Sequence, residues 1–232
     1  MTIPAVNRLL LLALAVLLAW LTGDALAHNV SRDDAELIAG KTGVQFILYT
    51  WLGAKHMVTG YDHLLFLVGV VFYLKNLRTI ALFVSLFALG HSITLIGGVL
   101  LGLDVNPYLV DAIIGLSVAY KGFDNLKGFD KLFGDSPDER SAVFIFGLFH
   151  GLGLATKLQD LGLAEDGLLP NLISFNLGVE LGQLAALVLI VFALRLLPAR
   201  VENARFGSIV NIGLIIAGFT LMAYQISLYL QQ

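Results

Sequence analysis

Asn171 to Leu194, NLISFNLGVELGQLAALVLIVFAL, is the stretch that decides the fold. It has a single ionisable side chain, Glu180. As a helix rising about 1.5 Å per residue, it is long enough to cross a bilayer core of about 30 Å. Thr79 to Leu103 and Phe206 to Leu230 have the same length and character. Shorter, more polar apolar runs lie at about 57–74, 107–121 and 141–157. Each is too brief or too interrupted to stand alone in lipid, so these three are expected inside the bundle. The stretch from Val44 to Gly53 either extends the first of them or lies along the interface. The pattern predicts an all-α, polytopic membrane bundle of about six transmembrane helices.

Composition agrees. Hydrophobic residues make up 58% of the 232 positions and charged residues 13%, with a mean hydropathy of +0.85. A soluble domain carries about a quarter charged residues. The lipid bilayer is therefore the first partner. Net charge is −3, with no basic cluster of the kind that binds nucleic acid. There is no cysteine, which excludes disulfides, thiolate metal sites and cysteine nucleophiles. A metal ion can be held only by imidazole, carboxylate, amide or backbone oxygen.

At the N-terminus, Arg8 precedes the apolar run Leu9 to Trp20, and Ala25-Leu26-Ala27 fits the small-x-small cleavage rule. Residues 1–27 thus read as a signal peptide; an uncleaved first helix is the alternative. Cleavage after Ala27 makes His28 the new terminus, whose amine and imidazole together can chelate a metal. Residues 28–42 form a short extracytoplasmic lead-in, and 43–232 the transmembrane domain. If the mature N-terminus is outside, Lys75, Arg78, Lys121, Lys127, Lys131, Arg140, Arg195, Arg200 and Arg205 fall in inner loops. Only Arg32, Lys41, Lys55 and Lys157 fall outside. This obeys the positive-inside rule and predicts an inner-membrane protein with both termini extracytoplasmic. The cytoplasmic loop at about 121–140 reads as a solvated connector. No period consistent with repeats is visible.

Ionisable groups at membrane depth are costly, so by default they mark function. His56, Asp62 and His63 lie in the first span, His91 in the second, Asp111 near the start of the third, His150 in the fourth and Glu180 in the fifth. Counting from the loops puts His63 about 18 Å, His91 about 20 Å and His150 about 15 Å from the inner surface, with Glu180 about 13 Å below the outer end of its span. His63, His91, His150 and Glu180 therefore share a level on four spans, which points to one site. Asn176, Glu180 and Gln183 share one face of their helix, and Gly178, Gly182 and Ala185 the other. Singly, each has a plainer reading. A histidine can hydrogen-bond a neighbouring helix, Asp62 can orient an imidazole, and Asn176 and Gln183 can be helix glue. Asp111 can be a solvated start to its span. As a set, imidazoles with carboxylates suit Zn, Ni, Co or Cu better than Mg or Ca.

The strings GAKHMVTGYDHLLFL, ALGHSITL, FGLFHGLGLA and FNLGVELGQL resemble, in order, the blocks of the HupE/UreJ proteins, membrane accessory proteins of hydrogenase and urease. The likeness covers about 50 to 197. It implies a multi-pass protein that takes up Ni²⁺ or a related divalent ion for metalloenzyme assembly. His56-x5-Asp62-His63 also matches the H-x5-D-H signature of nickel and cobalt permeases. The second permease motif, F-H-G-x-A-H-G-x-E, begins at Phe149-His150-Gly151, but Leu154 stands for its second His and Lys157 for its Glu. The departure favours the broader HupE/UreJ branch.

These readings lead to a divalent transition-metal transporter, for Ni, Co or Zn. His63, His91, His150 and Glu180 bind the ion, Asp62 tunes His63, and His56 receives the ion first, with His28. The alternative is an intramembrane zinc-dependent hydrolase, with Glu180 or Asp62 as general base. Candidate protein partners are a second copy of the chain and metalloenzyme assembly proteins.

Overall fold

The computed structural model describes residues 32–74, 76–160, 163–196 and 204–232. The signal-peptide reading and His28 lie outside the described residues. Those described are all-α, in nine helices: α1 (Arg32–Ile38), α2 (Phe46–Thr59), α3 (Tyr61–Val71), α4 (Leu77–Leu100), α5 (Pro107–Asn125), α6 (Gly128–Phe133), α7 (Glu139–Gln159), α8 (Leu168–Leu196) and α9 (Ala204–Tyr229).

Among the described residues, four helices are long and apolar enough to cross a membrane: Leu77–Leu100, Glu139–Gln159, Leu168–Leu194 and Arg205–Tyr229. The expectation of six such spans is corrected in two places. The first span begins upstream at Phe46, so the Val44–Gly53 stretch extends it, and it breaks at Gly60 into α2 and α3. The third, α5, has 19 residues, and Asp111, Lys121 and Asp124 lower its hydropathy. Asp111, Lys121 and Asp124 are nonetheless buried.

The pattern of burial is that of a membrane protein. Ile47, Val188, Leu189, Phe192 and Leu230 are exposed, whereas Asp62, His63, His91, Asp111, Lys121, His150, Gln183 and Asn211 are buried. Water would reverse this sorting; lipid permits it.

Helix starts follow local chemistry. The Asn76 side chain accepts from Arg78 N at 2.9 Å to open α4. Asn106 accepts from the N–H groups of Tyr108 and Leu109, and Pro107 sits where its missing N–H has no helical partner to lose. Asp138 opens α7 by accepting from Ser141 N at 2.8 Å and Ser141 Oγ at 2.7 Å. The Ser141 hydroxyl and N–H hold the Asp138 carboxyl below its ordinary range. At the end of α6, Gly134 takes the left-handed conformation, φ 79°.

Glycines set the helix pairs. A methyl group built on Gly53 would meet the carbonyl of Phe175, and one on Gly178 the carbonyl of Thr50, so α2 and α8 touch backbone to backbone, running parallel. Gly147 stands in the same way against Phe87, and Gly90 against Phe144, which pairs α7 with α4, also parallel. Gly115 and Gly218 face each other's carbonyls in the antiparallel pair α5 and α9. In lipid, where no hydrophobic drive joins helices, such close packing supplies the attraction.

The 121–140 region is not simply a solvated connector. Lys121 belongs to α5, is 8% exposed and binds Asp124 at 2.7 Å and Glu139 at 3.2 Å. Burial came with pairing, as a charge at that depth requires. Asn125 Nδ2 donates to the Gly69 carbonyl and to Asn211 Oδ1, both at 2.8 Å, and so ties α3, α5 and α9 together.

Candidate metal centre

The site grows from the break at Gly60. The Gly60 N–H still donates to the His56 carbonyl, and Leu64 N donates to the Gly60 carbonyl, both within 3.1 Å, so the break keeps its hydrogen bonds. Gly60 is needed for space. A methyl group there would come within 2.6 Å of His63 Nδ1. Restarting the helix at Tyr61 places Asp62 and His63 in the first turn of α3. Helix N-termini carry about half a positive charge, which the Asp62 carboxylate offsets.

Asp62 Oδ1 accepts from His63 N and lies 2.9 Å from His63 Nδ1. With Nδ1–H donating to that carboxylate, Nε2 of His63 is left as the lone-pair nitrogen. It is buried and makes no hydrogen bond. From α7, His150 brings its ring centroid to 4.8 Å from that of His63. Ser117 Oγ lies 3.4 Å from His150 Nε2 and donates its proton to the Ile114 carbonyl at 2.6 Å. The hydroxyl can then only accept from Nε2–H, so Nδ1 of His150 carries the lone pair.

Asp62, His63 and His150 are all buried and each offers one ligand atom within 4.8 Å of the others. Tetrahedral zinc ligands sit about 3.4 Å apart, so the three residues stand close to the spacing a single ion requires. His56 and His91 flank it, their rings 5.1 and 6.3 Å from His63. The His56 Nε2 and both His91 ring nitrogens are buried without hydrogen-bond partners. Each such orphaned nitrogen costs about 1–3 kcal/mol. Three imidazoles left with uncommitted nitrogens in one place fit a soft cation that ligates them. Phe66 and Phe87 wall the group, 5.7 and 4.9 Å from the His150 ring. Beside His63 lies a small, largely apolar cavity, with Gln183 on its wall.

The remaining sequence candidates are placed elsewhere. Glu180, expected among the ligands, is exposed. It accepts from Asn176 Nδ2 at 3.3 Å. The reason is azimuth: α8 packs through Phe175, Gly178, Val179 and Gly182, which turns position 180 outward. Gln183 turns inward. Asn176 accepts from Ser92 Oγ at 3.0 Å, next to His91. Asp111 is buried against Lys157 at 2.8 Å, so it is neither a solvated start nor a member of the histidine group. Lys157, counted above as an outer loop cation, is its partner, with a side chain 10% exposed. Ser117 is not among the residues the sequence singles out. Its contact with His150 crosses from α5 to α7, and no spacing in the sequence signals it.

A family model described as HupE / UreJ protein matches residues 32–232. No curated protein and no solved structure matches the chain. The chain belongs to the HupE/UreJ protein family.

Proposed function

We propose that this protein carries a divalent transition-metal ion, Ni²⁺, Co²⁺ or Zn²⁺, across the membrane. The observation that carries the reading is the buried Asp62, His63 and His150 group, whose ligand atoms lie within 4.8 Å of one another. The ion is the substrate. It enters beside His56, binds His63 Nε2 and His150 Nδ1 while Asp62 holds the His63 ring from its Nδ1 side, and leaves through the apolar cavity beside His63. His91 completes the coordination in transit.

Two features support transport. The ligands stand where a broken helix, α2–α3, meets an unbroken one. Transporters place ion sites near the midplane at such discontinuities. Membership of a family of hydrogenase and urease accessory proteins supports delivery of the ion for metallocentre assembly. In this reading α2–α3 and α5 complete six crossings, in an inner membrane, with both ends of the mature chain extracytoplasmic. The parallel pairs α2–α8 and α4–α7 and the antiparallel pair α5–α9 fit that alternation. The protein is a carrier rather than an enzyme.

Uptake of each ion into proteoliposomes tests this. The full chain accumulates at least one of Ni²⁺, Co²⁺ and Zn²⁺, and His63→Ala abolishes it. Equal uptake by wild type and His63→Ala would remove the site from the pathway.

A further inference from the structure

The helix pairing is symmetric in a way no period in the sequence shows. Equivalence of α2 with α7, α4 with α8 and α5 with α9 maps the pairs α2–α8 and α7–α4 onto one another and α5–α9 onto itself. The residues agree. Leu52-Gly53-x-x-His56 of α2 corresponds to Phe146-Gly147-x-x-His150 of α7. Phe87-x-Leu89-Gly90 of α4 corresponds to Phe175-x-Leu177-Gly178 of α8. Ile113-x-Gly115-Leu116-Ser117-Val118 of α5 corresponds to Ile216-x-Gly218-Phe219-Thr220-Leu221 of α9.

The contacts agree independently of that alignment. Gly53 faces the Phe175 carbonyl, and its equivalent Gly147 faces that of Phe87, the equivalent of Phe175. Gly178 faces the Thr50 carbonyl and the Ala54 nitrogen. Its equivalent Gly90 faces the Phe144 carbonyl and the Leu148 nitrogen, again the matching positions. Gly115 meets Gly218 O and Met222 N, while Gly218 meets Gly115 O and Ala119 N. Each of these six glycine contacts has its counterpart present. The equivalent helices α5 and α9 run antiparallel, so the operation is a two-fold rotation that inverts the chain direction.

We infer that the chain is built of two three-helix repeats of opposite orientation, 46–125 and 139–229, and that exchange of their conformations moves the ion. The second part rests on the transport reading above; the repeat itself does not. His56 and His150 become equivalent residues, and both face His63, at 5.1 and 4.8 Å between ring centroids. The halves differ in sequence at the ligand turn, where Thr156-Lys157 stand for Asp62-His63, and they differ in conformation, which is what an alternating carrier of this build requires. The first repeat is broken at Gly60, while the second runs unbroken through the equivalent Leu154, between Gly153 and Ala155. In the other state the second repeat is the broken one, and the two histidines trade roles.

The test uses the full chain in membranes, where the absence of native cysteine lets introduced thiols act alone. Ser92 and Asn176 touch across α4 and α8, Oγ to Oδ1 at 3.0 Å. Their equivalents are Glu180 and Ala88. Ser92→Cys/Asn176→Cys and Ala88→Cys/Glu180→Cys should therefore both join within one chain on oxidation or with a short bismaleimide. Ser85→Cys/Glu180→Cys, out of register, should not. Linking of the first pair without the second, or of neither, overturns the repeat. For the exchange, uptake of Ni²⁺, Co²⁺ or Zn²⁺ by either linked variant should fall at least tenfold and return on reduction of the disulfide. Undiminished uptake in the linked protein overturns it. Wild-type protein that carries none of the three ions would sink transport, and the exchange with it, while the crosslinks still decide the repeat.

Discussion

Helix α2–α3 and helix α7 contain the same G-x-x-H string, ending at His56 and at His150, and pack through it against a parallel neighbour. Beyond the histidine they part. The first helix stops four residues later at Gly60 and restarts, so that Asp62 and His63 fall in a fresh first turn with a carboxylate aligned to an imidazole. The second continues unbroken to Gln159 and reaches its own half-buried charge, Lys157, paired with Asp111 at 2.8 Å. Both halves bring an imidazole to the shared centre, but only the first adds a carboxylate and a second histidine in the same turn, while the second pairs its cation with Asp111 of the first. The comparison shows that a histidine in a membrane helix becomes a ligand through what fixes its ring. Asp62 fixes His63, and Ser117 fixes His150.

The largest effect should come from the hub of that centre. His63→Ala removes the ring that His56, His91 and His150 all approach, and metal affinity measured by calorimetry should fall by more than about 100-fold, beyond the loss usual for a supporting residue. Retained affinity would show that His56 and His91 form the site without it.

Next come the glycines that both halves share. Gly53→Leu and Gly147→Leu each drive a side chain into a facing carbonyl, and each should cost about 3 kcal/mol, the upper end for overpacking. Thermal unfolding in detergent measures this. Similar losses sharpen the equivalence of the two helices; a cost at one position alone breaks it.

The ring-fixing residues should cost less. Asp62→Asn and Ser117→Ala should each weaken metal binding by about 10- to 100-fold, with Asp62→Asn the larger because it also removes a charge beside the cation. Binding should weaken as pH falls, since a protonated imidazole cannot ligate. If Ser117→Ala binds as wild type does, its contact with His150 does not set the tautomer.

The smallest effect belongs to the cap of α7. The Asp138 carboxyl is held below its ordinary range, so its stabilisation is present above the unfolded-state value and is lost as pH drops through the lowered one. Asp138→Ala should lower the melting temperature slightly at neutral pH, and the difference from wild type should vanish in acid.

Much of this was legible in the sequence. Length and apolar character located three of the four long spans, while Glu139–Gln159 read as too short or interrupted to stand alone, and counting residues from the loops placed His63, His91 and His150 at one level. Depth is a single coordinate, however. Glu180 shares that level and misses the centre because α8 is rotated to seat Gly178 and Gly182 against α2. The same limit hid Ser117, whose value lies in a neighbour on another helix. Lys121 and Lys157 read as loop cations because charge counting does not see their carboxylate partners. The inverted repeat left no period because each helix pair keeps its own spacing along the chain and few residues are shared.

The central claim is that Asp62, His63 and His150 hold a divalent transition metal between the helices. Titration of the purified chain with Ni²⁺, Co²⁺ and Zn²⁺, joined to X-ray absorption of the bound ion, tests it most directly. One ion per chain should bind, with at least two imidazoles and an oxygen in its shell, and it should be lost in His63→Ala/His150→Ala. Binding of equal strength in wild type and double variant, or no binding by wild type, would contradict it.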